Sequence, residues 1–301
     1  MSDQHFRKQI RAGIVMLLPI GLALALVLWV TVRAYRAEAR SLEGAQFPMP
    51  QDALSDLPEV KDVAFRAGDH EIKGWFFPGT RPGAVLLVHG SGSSRLATKD
   101  ELKLLGRAGF SVLTYDQPGH GESEGRPSYG PSRREALLRA IDFLAAQPGV
   151  ERVGALGLSY GGYDLIHVAA TTDRVHAIAV AGTPGDLERH GRYEYSGAFG
   201  LRFFGAKLAM RAYDIPLEEP TAESVIARLS PRPILFLQGE KDHTVPKELV
   251  FRLYDAALPP KTWVDLPESG HCDYAERNPE LYARTLESFF SDALAAPRDP
   301  H

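Results

Sequence analysis

The chain has 301 residues, 44% of them hydrophobic and 24% charged, with a formal net charge of −4. That balance fits a folded chain with a sizeable core, and nothing in it suggests a nucleic-acid partner, which would normally show a basic stripe. A single cysteine, Cys272, excludes an intramolecular disulfide, and the histidines show no metal-ligand spacing, so no metal or cofactor is expected.

Residues 1–11 are polar and basic, with His5, Arg7, Lys8 and Arg11. Residues 12–32 carry no charge. A helix of about 20 apolar residues spans a hydrocarbon core of about 30 Å, and Trp29 suits the interfacial belt at one end. The run therefore predicts a single-pass transmembrane signal anchor and a membrane partner. A buried core helix and a cleavable signal peptide are the competing readings. The one small-residue cleavage pattern, Ala37-Glu38-Ala39, lies beyond Arg33 and Arg36, which argues against cleavage. Arginines flank both ends, so the positive-inside rule does not separate the orientations. A cytoplasmic tail with an exported domain is preferred.

Residues 33–58 read as a helix end followed by a linker, broken by Pro48, Pro50 and Pro58. A globular domain follows over 59–295, with 296–301 as a tail. Residues 60–66 and 70–77 alternate around a Gly-Asp turn and predict a hairpin. Apolar runs at 83–89, 110–115, 152–158, 175–181, 233–238 and 262–266 predict further strands. Between them, helical patterns fall at 99–108, 132–146, 160–170, 246–257 and 279–295. Ser132 and Glu135 have capping-box spacing. Such alternation predicts an α/β fold with a mostly parallel central sheet flanked by helices. Residues 183–230 break the rhythm, are rich in Gly, Tyr and Phe, and predict an inserted cap that covers a substrate pocket.

Gly157-Leu158-Ser159-Tyr160-Gly161-Gly162 places a serine where a strand turns into a helix. That context makes it a nucleophile elbow, in which glycines relieve crowding around a strained serine. A serine hydroxyl needs a base, and the base needs an orienting carboxylate. The loop after residues 233–238 supplies Asp242, with Glu240 as competitor. The loop after 262–266 supplies His271, with Asp265 as a remote alternative acid. Two backbone N–H groups must face the developing oxyanion. Tyr160 would give one, and Ser91 in His89-Gly90-Ser91-Gly92 the other. Cys272 lacks an elbow and reads as a packed side chain.

Together with Asp116-Gln117-Pro118-Gly119-His120-Gly121-Glu122-Ser123-Glu124-Gly125, these motifs resemble serine hydrolases of the α/β-hydrolase superfamily across residues 59–295. The added N-terminal anchor resembles membrane-anchored members related to acyl-protein thioesterases and monoacylglycerol lipases. The resemblance implies a small-molecule or lipid acyl substrate and cleavage of an ester or thioester. It also implies that His89, Asp116, His120 and Ser123 shape loops. A peptidase or amidase using the same Ser-His-Asp set, and a non-catalytic membrane-tethered binding module, are the alternatives.

Overall fold

The computed structural model describes residues 3–295 apart from 45, 47, 51 and 58, with side chains from Leu18 onward. The side chains of the basic tail, the Pro58 breaker and the 296–301 tail lie outside the described residues. A long helix α1 (Asp3–Leu42) precedes a hairpin of β1 (Lys61–Ala67) and β2 (His70–Phe77). Next come β3 (Gly83–Val88), α2 (Lys99–Arg107), β4 (Ser111–Tyr115), α3 (Pro131–Ala145), β5 (Arg152–Leu158), α4 (Tyr160–Ala169) and β6 (Val175–Ala181). Helices α5 (Leu187–Glu194), α6 (Leu201–Ala212) and α7 (Ala222–Val225) occupy the stretch expected to form a cap. The chain closes with β7 (Ile234–Gly239), α8 (Lys247–Ala256), β8 (Lys261–Leu266), α9 (Tyr274–Arg277) and α10 (Pro279–Ala293).

Among the described residues, eight strands form one sheet in the order β1-β2-β4-β3-β5-β6-β7-β8. β2 runs antiparallel to its neighbours β1 and β4, while β3 to β8 are parallel, as the alternation predicts. Every residue of β3, β4 and β7 is buried, which is why these strands read as continuous apolar runs. Leu137, Ile141, Ile166 and Leu253 pack one face of the sheet. Leu102, Leu105, Leu286 and Phe290 pack the other.

One expectation needs correction. α3 starts at Pro131 with Gly130 as its cap and no side-chain capping bond, so the Ser132–Glu135 box does not form. Proline's fixed φ and missing N–H suit the first helical position, and this draws Ser132 into the helix.

Residues 33–58 open on a helix end, since α1 runs on to Leu42. Ala34, Glu38 and Leu42, spaced four apart on one face, are buried, whereas Leu18, Leu22, Leu24 and Leu28 are more than half exposed. Ala34 packs with Tyr195, just past α5, and with Phe203 and Ala206 of α6. A Cβ on Gly205 would lie 2.2 Å from the Thr31 carbonyl oxygen, so α6 rests backbone-on-backbone against α1. The residues beyond α1 are strapped to the domain. The Gln46 amide donates to the Ser123 carbonyl at 3.2 Å, the Met49 N–H donates to Glu122 at 3.1 Å, and Leu57 is buried.

Candidate active site

Strand order sets the location. β3 has β4 on one side and β5 on the other, and an open parallel sheet has its crevice at such a reversal, beyond the carboxyl ends of the strands. The pairing of Val88 with Gly157 brings the 89–94 loop level with Ser159.

Ser159 has φ 52° and ψ −122°, the strained turn that an elbow requires. A Cβ on Gly161 would lie 2.3 Å from the Val88 carbonyl oxygen, so α4 can leave the elbow this close to β3 only with glycine there. The Ser159 N–H donates to Ala181 at 2.8 Å and ties the elbow to β6.

Asp242 follows β7 and is buried. Its Oδ1 accepts the N–H groups of Thr244 at 2.9 Å and Val245 at 2.8 Å, which fixes the carboxylate. Its Oδ2 lies 2.8 Å from His271 Nδ1, and His271 Nε2 lies 3.0 Å from Ser159 Oγ. A carboxylate at Nδ1 selects the tautomer with hydrogen there and leaves the Nε2 lone pair facing the serine hydroxyl.

The structure thus brings Ser159, Asp242 and His271 together. Ser91 and Tyr160 line the same cavity of about 290 Å³. Tyr160 opens α4, so its N–H has no intrahelical acceptor. Glu240 is exposed, and Asp265 is engaged by Lys247 at 2.7 Å and Trp263 Nε1 at 2.9 Å.

The loop motifs bind one another. His89 Nε2 accepts the Gln117 N–H at 3.0 Å, and Ser123 Oγ donates to the Asp116 carbonyl at 2.8 Å. The Asp116 carboxylate accepts the N–H groups of Arg95 at 2.7 Å and Glu122 at 2.9 Å and pairs with the Arg95 guanidinium.

Several residues at the site escape sequence reasoning. Glu38, Ser41 and Leu42 of α1 form part of the cavity wall. Glu38 accepts the Tyr195 hydroxyl at 2.7 Å. Burial pushes its carboxyl up to about 7, against that hydrogen bond, so it holds a proton far more readily than an exposed glutamate. Tyr129 joins α1 to the 89–94 loop, since its hydroxyl accepts the Gly92 N–H at 2.8 Å and donates to the Leu42 carbonyl at 3.2 Å. The spacing of Ala34, Glu38 and Leu42 was the available signal for this helical contact.

Gly182, just past β6, has φ 55°. A Cβ there would lie 2.8 Å from Tyr274 Oη, 3.1 Å from His271 Nδ1 and 3.2 Å from Asp242 Oδ2. Cys272 is half-buried, has φ 60° and lines the cavity. Burial opposes charge on the His271 ring, but Cys272 and then Asp242 outweigh it and raise the histidine above its ordinary value.

Known proteins resemble this chain in sequence or in fold. The uncharacterized protein YfhR of Salmonella typhi is 27% identical, with 98% of this chain and 100% of that protein covered. The Pyrococcus furiosus esterase Pf2001 superposes with a TM-score of 0.72 at 18% identity, covering 85% of this chain and 99% of its own. A crystal structure described as a membrane phospholipase A, a novel bacterial virulence factor, gives 0.59 at 20% identity, covering 96% and 100%. At these identities the structural matches speak for the fold. The family profile adds the sequence side, matching residues 85–285, a stretch that runs from β3 into α10 and takes in Ser159, Asp242 and His271. On that match the chain belongs to the alpha/beta hydrolase family.

Proposed function

We propose that the protein is a membrane-anchored serine hydrolase that cleaves carboxylic esters or thioesters of apolar acyl groups through an acyl-enzyme. The observation that carries this reading is the run of contacts from Ser159 Oγ to His271 Nε2 at 3.0 Å and from His271 Nδ1 to Asp242 at 2.8 Å. Support for the anchor comes from α1, which is long and apolar enough to cross a membrane and keeps its apolar part exposed. The membrane phospholipase A, which covers 96% of this chain, supports a lipid ester as substrate.

In this mechanism Ser159 Oγ attacks the acyl carbon while its proton passes to His271 Nε2. Asp242 holds the Nδ1 hydrogen and offsets the charge on the ring. The carbonyl oxygen becomes an oxyanion that the Ser91 and Tyr160 N–H groups receive. Collapse breaks the bond to the alcohol or thiol, which leaves with the proton from His271. Water then attacks the acyl-Ser159 ester, giving its proton to His271, and collapse returns that proton to Ser159 as the acid departs.

Incubation with a fluorophosphonate probe is expected to label Ser159. Ser159→Ala and His271→Ala are each expected to lower kcat/KM for a p-nitrophenyl ester by about a thousandfold or more. Full turnover in either variant would remove the assignment, and faster cleavage of peptide amides than esters would turn it to a peptidase.

The acid limb of the pH profile follows from the raised His271. The base works only when its ring is neutral, so a raised pKa moves the onset of kcat/KM above the usual histidine range near 6.5. Asp242→Asn removes the carboxylate that favours the charged ring and is expected to shift that limb to lower pH, so an unmoved limb would show that Asp242 does not tune the base.

A further inference from the structure

We propose that the tip of the cap, through Phe199, Phe204 and Leu208, inserts into the lipid interface beside α1, so that anchor and cap form one bilayer-facing surface. This rests on reading α1 as a membrane anchor. Phe199 is fully exposed, Phe204 is 56% exposed and Leu208 is 41% exposed. Phe204 and Leu208 stand four apart on α6 and so share a helix face. Apolar side chains clustered on a surface mark a contact with another apolar phase.

The direction of α6 identifies that phase. Gly205 meets Thr31 and Ala34, at the end of the apolar run of α1. At the other end of α6, the Tyr213 carbonyl accepts the Tyr129 N–H at 2.8 Å, and the Tyr129 hydroxyl reaches Leu42 at 3.2 Å. The two helices therefore run in the same sense. The N-terminal end of α6 and the 196–200 turn before it point toward the exposed apolar part of α1.

In that turn Ala198 and Phe199 have φ 46° and 53° with glycines on either side, which holds the Phe199 ring away from the protein. Arg33 and Arg36 on α1 flank the Gly205 contact, Arg202 stands one turn before it on α6, and all three are exposed, where they suit anionic headgroups. α5, which ends just before this turn, carries His190 and Glu194 on the cavity wall. The inserted tip thus stands next to the pocket, and an acyl chain reaches it from the bilayer.

The test uses the full chain in vesicles of phosphatidylcholine and phosphatidylglycerol, with Phe199→Trp and Phe204→Trp compared against the parent. Phe251→Trp, at an exposed site on α8, is the control. Brominated phosphatidylcholine is expected to quench the added fluorescence at 199 and 204 by about twofold or more and to leave the 251 signal unchanged. No added quenching overturns the proposal. A blue-shifted but unquenched signal also overturns it, because the tip is then covered by a second copy of the protein.

A paired Phe199→Asp, Phe204→Asp variant is expected to lose about tenfold in hydrolysis of a vesicle-embedded ester while staying within about twofold on a soluble ester. Equal loss on both substrates overturns the delivery role. The quenching needs no turnover, so an inactive protein would sink the hydrolase reading and leave this one decided by fluorescence. Intact mass of the membrane-extracted protein shows separately whether α1 is retained.

Discussion

Gly182→Ala will lower kcat/KM by about a hundredfold, comparable to the effect of moving a catalytic group by about 1 Å. The position combines two constraints. Its φ of 55° lies in the left-handed region, where alanine costs about 1 kcal/mol. The new methyl would also sit 2.8 Å from Tyr274 Oη and little more than 3 Å from His271 Nδ1 and Asp242 Oδ2. Tyr274 is fully buried and cannot retreat, so the strain falls on the His271–Asp242 contact. Steady-state kinetics on a soluble ester, read beside a thermal melt, separates this from unfolding. A cooperative melt near that of the parent is expected together with the lost rate. Unchanged turnover would mean that the His271–Asp242 geometry has slack that the mechanism does not need.

Removing residues 1–42 is expected to destabilise the domain and damage the pocket even where no membrane is present. Loss of the buried Leu42 costs about 2–3 kcal/mol, Ala34 somewhat less, and the Tyr129–Leu42 hydrogen bond about 1 kcal/mol. At about 2–4 °C per kcal/mol for a domain of this size, the melting temperature should fall by about 10 °C. Glu38, Ser41 and Leu42 also leave the cavity wall, so kcat/KM on a soluble ester should drop by about tenfold. Gly205→Leu in the full chain tests the same contact without truncation, because its side chain meets the Thr31 carbonyl and parts α6 from α1. Unchanged melting and turnover in both variants would reduce α1 to a tether.

The sequence exposes features whose cause is local. Ser159 could be singled out because the turn that strains it needs its own flanking glycines. Asp242 and His271 could be named because parallel strands send their carboxyl-end loops to one edge, so chain order stands in for proximity. β3 and β7 were legible because burial on both faces forces unbroken apolar runs. What stayed hidden depends on partners far along the chain. Nothing near Gly182 indicates that Tyr274 will press on it. The charges of 33–42 resemble a solvated segment until Tyr195 and Tyr129 supply partners for Glu38 and the Leu42 carbonyl. The misplaced start of α3 is a local error of another kind, in which proline geometry prevailed over a capping pattern one residue on.

The unbroken helix from the apolar run to the Leu42 carbonyl has a mechanical consequence. A flexible stretch as long as residues 33–58 would let its ends wander about 30 Å apart, and the domain would swing like a float on a line. Here Tyr129 clamps the helix end to the loop that carries Ser91. A twist of α1 about its axis becomes a turn of the pocket mouth, and a tilt becomes a change in its height. With α1 as the proposed anchor, the pocket's bearing and depth at the bilayer are set by the angle at which that one helix stands.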